Sequence, residues 1–323
     1  MKRAFIAAVA ACGLAAVALP AAAKDKLLIG ASSASSSQYG YFVALSQLIN
    51  SHVQNVDSSV VETGATVDNL RRIERKQIDL GLVTTNVGYQ AYVGEGPFEG
   101  KKTDSRLLFV YSNAPQNVIV RNDSGVKSLA DLKGKRFNPG LKGSATEKTA
   151  EAVFKALGIA PEFVRGSTTD IVDAVKDNRV IGYVKSGVGD KLDGSSMDIA
   201  TFTPVKVLSL SPEQKKLIAD KFPELSVADV PAGAADGVPA YSTWSFGLAV
   251  HARPDLSDEI AYQIAKAVFE DKTVQVAALS SMKGLDLMKL TVSGGTVPLH
   301  PGVVRYLKEH NVAIPAKLMP KMN

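Results

Sequence analysis

Four short segments carry the side chains that could do chemistry. Three are small, polar and rich in hydroxyls: Ser32-Ser33-Ala34-Ser35-Ser36-Ser37-Gln38-Tyr39, Thr84-Thr85-Asn86, and Gly140-Leu141-Lys142-Gly143-Ser144-Ala145-Thr146-Glu147. The fourth, Lys185-Ser186-Gly187, adds an ammonium. Hydroxyls and backbone N–H groups donate to carboxylates, and a helix N-terminus adds a partial positive charge. Small side chains let a ligand reach the backbone. A lysine acts as a compact point charge that does not enforce bidentate geometry. This chemistry is binding of an acceptor-rich small molecule, through Ser35, Ser36, Ser37, Gln38, Tyr39, Thr84, Thr85, Asn86, Ser144, Ala145, Thr146, Lys185 and Ser186. The plain alternative is helix capping, since Ser144-Ala145-Thr146-Glu147 is itself a capping box. Lys185, likewise, could be an ordinary solvated lysine.

Signals for catalysis are poor. His52, His251, His300 and His310 are far apart, and no His-Glu-x-x-His, Gly-x-Ser-x-Gly or phosphate-loop pattern occurs. Ser280-Ser281-Met282-Lys283 and Ser124-Gly125-Val126-Lys127 fit Ser-x-x-Lys, but the supporting Lys-Thr-Gly is missing. A Ser/Lys hydrolase is therefore the weak rival. His300, before Pro301, reads as a structural hydrogen-bonding residue. One cysteine, Cys12, builds neither a disulfide framework nor a cysteine-based zinc site. No cofactor or metal is called for.

The elements that would position these loops alternate between strand and helix. Leu27–Gly30, Val60–Thr63 and Asp79–Val83 read as strands, separated by helical patterns over Tyr39–Val53 and around Val67, Leu70 and Ile73. That grammar predicts parallel pairing in an α/β sheet. Leu107–Val110, Asn117–Arg121, Glu162–Val164, Val180–Val184 and Trp244–His251 are further strands. Helices are expected from Thr146, over Ile171–Val175, from Ser211, over Pro254–Glu270 and from Pro301. Leu225–Tyr241 reads as an irregular connector. Ligands of open α/β sheets bind at the carboxyl ends of strands, where all four segments fall.

The chain has 323 residues, enough for two domains, with 46% hydrophobic and 21% charged residues. Basic Lys2-Arg3, an apolar run over Ala4–Leu19 and Ala21-Ala22-Ala23 before Lys24 mark residues 1–23 as a secretory signal peptide. An uncleaved anchor and a lipid on Cys12 are the alternatives. Cleavage lowers the formal charge from +5 to +3, with 35 basic and 32 acidic residues left. No cluster of basic and aromatic residues marks a nucleic-acid surface.

Several segments then resemble one family. Glu62-Thr63-Gly64-Ala65-Thr66-Val67-Asp68-Asn69-Leu70, Gln77–Val83, Asp123–Arg136, Gly143–Glu147 and Pro298-Leu299-His300-Pro301-Gly302 with Arg305-Tyr306 are similar, in order, to segments of the TAXI family. These are solute-binding proteins of TRAP (tripartite ATP-independent periplasmic) transporters. The resemblance implies a class II periplasmic binding protein fold, α/β and two-lobed, with the ligand cleft between the lobes. Lobe one would be 24–114 and 248–323, and lobe two 115–247. It also implies a monomer that captures a small organic solute, an organic acid, in the periplasm. The partner would be the TRAP membrane subunits. An ABC transporter or a sensor kinase is the alternative partner. The chain departs from the family where a ligand would touch. Ser35-Ser36-Ser37-Gln38 replaces Gly-Gly-Thr-Tyr, Thr84 replaces Gln, and Ile181–Val184 replaces Asp-Ala-Phe-Phe. Glutamate and 2-oxoglutarate, ligands of the best-known members, are therefore not carried over.

Intact-mass analysis of the exported protein is expected to show a start at Lys24 with no lipid; a diacylated Cys12 would contradict it.

Overall fold

A computed structural model describes residues 24–222 and 224–320, so the leader expectation for 1–23 lies outside the described residues. The chain opens as β1 (Asp25–Gly30), α1 (Ser37–His52), β2 (Val56–Val61), α2 (Thr66–Glu74), β3 (Leu80–Thr84) and α3 (Thr85–Val93). A long strand β4 (Arg106–Arg121) leads to β5 (Arg136–Phe137), α4 (Ala145–Ala156), β6 (Glu162–Phe163), α5 (Thr168–Lys176) and β7 (Gly182–Ser186). Then come α6 (Gly194–Phe202), β8 (Val205–Val207), α7 (Pro212–Lys221), β9 (Ser226–Val230) and β10 (Tyr241–Ala252). The chain closes with α8 (Asp258–Glu270), α9 (Val274–Ala278), α10 (Leu287–Gly294) and α11 (Pro301–Glu309).

β1 pairs in parallel with β2 and β3, as the alternation predicts. The sheet as a whole is mixed, with the expected parallel pairs confined to its first three strands. β10 runs antiparallel to both β3 and β4, giving the order β2-β1-β3-β10-β4-β7. The two strands expected at Leu107–Val110 and Asn117–Arg121 are one strand of 16 residues. The polar stretch Ser112–Gln116 looks like a break in sequence. In the fold it is where β4 leaves β10, last paired at Pro115↔Ser245, and takes β7 at Gln116↔Ser186. The expected connector also contains a strand: Val227 pairs with Trp244 and Val230 with Tyr241, so β10 zips β9 against its first half.

Two lobes result. In the first, Asn69 of α2 is fully buried and its Nδ2 donates to the carbonyls of Ala31 and Leu82, each at 2.9 Å, tying β1 to β3. Gly30 makes room for it, because a Cβ there would sit 2.5 Å from Asn69 Oδ1. Tyr41 of α1 stacks on Tyr111 of β4 with centroids 4.2 Å apart. The second lobe has its own core, in which Ile119, Ile171, Val175, Tyr183 and Ile199 pack together. Among the described residues no helix is long and apolar enough to cross a membrane.

Two histidines are built into this frame. His251 of β10 is buried, with Nδ1 2.9 Å from Ser105 Oγ, and burial pushes its pKa down to about 3. His300 caps α11, its Nδ1 accepting from the Gly302 N–H at 3.3 Å, the structural role the sequence suggests. Its pKa is also lowered, chiefly by burial. Both folded-state values lie below that of an unfolded histidine, so the unfolded chain binds more protons as pH falls. The stability is fully present above about pH 6.5 and is lost toward the folded values. His251→Gln is expected to flatten the fall of stability between pH 6 and 4, by up to about 1.4 kcal/mol per pH unit. Urea unfolding at each pH checks this, and an unchanged slope would contradict it.

Candidate functional site

The first turn of α1 faces lobe two. Ser36 caps the helix, its Oγ accepting from the Tyr39 N–H, and shares a hydrogen bond of 2.7 Å with Ser32. Ser33 and Ser35 bond each other at 3.0 Å. Ser37 crosses the cleft instead. Its N–H donates to Asp193 Oδ2 at 2.8 Å, and its Oγ accepts from the Gly194 N–H at 2.8 Å. Asp193 is fully buried and caps α6, its Oδ1 accepting from the Ser195 N–H at 3.0 Å and from the Ser195 hydroxyl at 2.7 Å. One carboxylate thus takes N–H groups from helices of both lobes. Lys185 Nζ lies 3.6 Å from its Oδ1. The lysine read as a counter-charge for a ligand therefore already has an internal partner.

Two further bonds cross the cleft. The Val67 N–H donates to the Gly143 carbonyl at 3.0 Å, and Asn86 Nδ2 donates to Thr149 Oγ1 at 3.2 Å. They join the start of α2 and of α3 to the loop before α4 and its first turns.

Between these contacts lies a cavity of about 50 Å³. Lobe one lines it with Ser32, Gln38, Ala65, Thr66, Leu82, Thr84 and Leu248, and lobe two with Leu141, Ser144, Ala145, Thr146, Val184, Lys185 and Ser186. The fold therefore brings together Gln38, Thr84, Ser144, Ala145, Thr146, Lys185 and Ser186 of the expected contacts. Ser35, Ser36, Ser37, Tyr39, Thr85 and Asn86 lie off its wall. Thr85 is engaged where the lobes join, its Oγ1 accepting from the Gly247 N–H at 3.0 Å. Asn86 accepts from Thr84 Oγ1 at 2.8 Å. Sequence reasoning missed Ala65, Thr66 and the apolar wall. It also missed Asp193, although an Asp before Gly194-Ser195 is an ordinary N-cap signal.

The polar groups on the wall are mostly donors. Ser144 Oγ accepts from the Glu147 N–H at 3.1 Å, so the capping reading holds. The N–H groups of Ala145 and Thr146 at the α4 N-terminus have no acceptor among the described residues. Gln38 is buried, and its Nε2 has no hydrogen-bond partner among the described residues. Thr146 Oγ1 donates to Oε1 of the buried Gln116 at 2.8 Å, and Gln116 Nε2 donates to Ser186 Oγ at 2.9 Å. The Ser186 hydroxyl in turn donates to Gln116 Oε1 at 3.1 Å, so it is satisfied within the wall. Unsatisfied buried donors are costly, so the wall favours an acceptor-rich guest.

A larger groove of about 630 Å³ runs outside this cavity, past Arg71, Gln90, Lys142, Glu147 and Arg165. Part of its charge is paired: Arg165 reaches Glu147 at 3.0 Å and also bonds Glu151, and Lys148 lies 3.6 Å from Glu147, while Arg71 and Lys142 have no carboxylate partner among the described residues. The Ser-x-x-Lys segments lie away from both, and the Ser124 hydroxyl donates to the Arg121 carbonyl at 2.6 Å. Among the described residues no group of three or more His, Cys, Asp or Glu is placed to hold a metal ion.

The profile of the NMT1-like family matches residues 29–310. Among solved structures, MatC from Rhodopseudomonas palustris with bound malate is similar at a TM-score of 0.55 and 12% identity, covering 81% of this chain and 90% of that one. A zinc-bound ligand-binding component of an ABC-type import system from Staphylococcus aureus is similar at 0.52 and 12% identity, covering 92% of this chain and 97% of that one. At these identities the likeness is one of fold: α/β, two-lobed, with a cleft between the lobes.

Asp193→Ala would strip two helix N-termini of their acceptor and leave Lys185 without its partner. Urea unfolding is expected to show a loss of about 3–5 kcal/mol, the range for breaking a buried pair. Ser36→Ala, which removes one cap, is expected to cost about 1 kcal/mol. Equal, small losses would show that Asp193 is not central to the cleft.

Proposed function

The chain belongs to the NMT1-like family, and we propose that it is an extracytoplasmic solute-binding protein that takes a small organic acid between its lobes and hands it to a membrane transporter. The observation that carries this reading is the cavity at the lobe interface, walled by donors without acceptors. Gln38, whose Nε2 has no partner among the described residues, lines it from lobe one, and Ala145 and Thr146, with free N–H groups, line it from lobe two. Closing over a ligand removes water, which strengthens each polar contact. Lobe one comprises 24–114 with 248–323 and lobe two 115–247, hinged where β4 and β10 cross.

In this reading the leader directs export to the periplasm, and the working form is a monomer. The membrane partner is the TRAP pair of subunits, on the strength of the TAXI-like segments; the likeness to an ABC-import component is one of fold and does not choose between partners. Only the closed form presents both lobes in one fixed arrangement, so solute and membrane partner are linked through that state. The role proposed is binding, supported by the family match and by the donors lining the cavity.

A thermal-shift panel of small carboxylates, sugars and polyols tests this. A carboxylate at 100 times its dissociation constant adds about 2.7 kcal/mol of stability. For the acid that stabilises, Gln38→Leu is expected to weaken binding by roughly ten- to a hundredfold in calorimetry, as expected for a lost hydrogen bond to a charged group. Stabilisation by neutral polyols alone would overturn the organic-acid reading.

A further inference from the structure

We propose that Gly189 and Ser281 form a stop behind the cleft, a contact between the lobes that limits how far they open. This rests on the hinge at the crossing of β4 and β10 and not on the identity of the solute.

The crossing strands have two faces. Side chains alternate between faces along a strand, and directly paired residues of neighbouring strands share one. Leu248, paired with Thr84, and Ser186, paired with Gln116, lie on the face that carries the cavity. Ser245, paired with Pro115, lies on the opposite face. There a second groove of about 630 Å³ runs past Asn113, Pro115, Ser245, Gly189 and Ser281, and none of its lining residues belongs to the cavity. A rotation about these strands that parts the lobes on the cavity face brings them together on the groove face.

On that face the lobes already touch at Gly189. Residues 187–192 form the turn between β7 and α6 and ride on lobe two: the Leu192 N–H donates to the Ala234 carbonyl at 3.1 Å, and Lys191 Nζ to the Gly233 carbonyl at 2.7 Å. The tip of the turn reaches over β4, where the Gly189 N–H donates to the Asn113 carbonyl at 3.3 Å. Ser281 belongs to lobe one. It follows α9, whose Gln275 accepts from the Tyr41 hydroxyl of α1 at 2.8 Å and donates through Nε2 to the Val268 carbonyl of α8 at 2.8 Å. A Cβ on Gly189 would lie 2.7 Å from Ser281 Cβ, closer than two carbons pack. Gly189 also has φ +56°, a left-handed conformation that glycine adopts freely. The buried Ser281 hydroxyl has no hydrogen-bond partner among the described residues, so what it presents to Gly189 is bulk. Opening the cleft presses the turn against this wall, and close-packed interiors resist compression. The same turn ends at Asp193, so one segment holds the closed form from the front and limits the open form from behind.

Pulsed electron–electron resonance between spin labels at the exposed Arg75 and Lys155, one on each lobe, tests this in the exported form. Asp193→Ala releases the front contact, and adding Ser281→Gly is expected to extend the longest distances of its distribution. Ser281→Gly alone is expected to leave the parent distribution unchanged. Opening in Asp193→Ala that Ser281→Gly does not extend would overturn the stop and leave the hinge intact. No opening in either variant would overturn both. Broadening by Ser281→Gly alone would make the contact part of what holds the closed form, which also overturns a stop. Should Asp193→Ala fail to fold, urea midpoints decide. Gly189→Ala is expected to lower the midpoint about twice as far in the parent as in Ser281→Gly, because only the parent has the Cβ it would strike. Equal losses in the two backgrounds would overturn the contact.

Discussion

A single carboxylate on two helix N-termini organises the cleft. Asp193 has no access to water, so every lone pair it carries must be met within the protein. It is met by α6, which it caps, by Ser195, and by the first N–H of α1 across the cleft. Those donors exist because both helices begin at the mouth, as the strand-then-helix order of each lobe requires. The same carboxylate bridges the two lobes and lies 3.6 Å from the Lys185 ammonium.

The two strands that cross between the lobes make that geometry reproducible. β4 and β10 are buried along most of their length and change partners at the same level. Pro115 is the last residue of β4 paired to β10, and Gln116 is the first paired to β7. Gly247 lies opposite Asn113, and a Cβ there would come within 2.7 Å of Thr85 Cγ2. Gly182 is tighter still, since a Cβ would lie 2.0 Å from the Ile119 carbonyl. Substitutions at these glycines push backbone or packed side chains aside, and their effect reaches the cavity through Ser186, which pairs with Gln116. The crossing strands and the cavity wall are thus joined through Ser186.

Local chemistry made part of this legible in the sequence. The hydroxyl-rich loops at strand ends marked Thr84, Ser144, Thr146 and Ser186, because a loop between strand and helix is placed by its neighbours in the chain. The parallel start of the sheet was legible for the same reason. The antiparallel insertion of β10 between β3 and β4 was not. It joins segments more than a hundred residues apart, and periodicity carries no information about partners. Ser37 looked like a ligand contact and is a bridge to Asp193, a residue 156 positions away. Asp193 itself carried only a cap signal, which says where a helix starts and not what else the carboxylate will touch. β9 was hidden because Ser226-Val227-Ala228-Asp229-Val230 is short and half polar, and its strand form depends on β10.

The central claim is that Asp193 holds the lobes together. Cys12 is the chain's one cysteine, so paired spin labels can be placed in the 24–323 form at Arg75, beside α2, and Lys155, on α4, both exposed. Pulsed electron–electron resonance then reads the distance between lobes with and without Asp193→Ala. The account predicts a single narrow distribution in the parent and a broader one reaching longer distances in the variant. Identical distributions in both would contradict it.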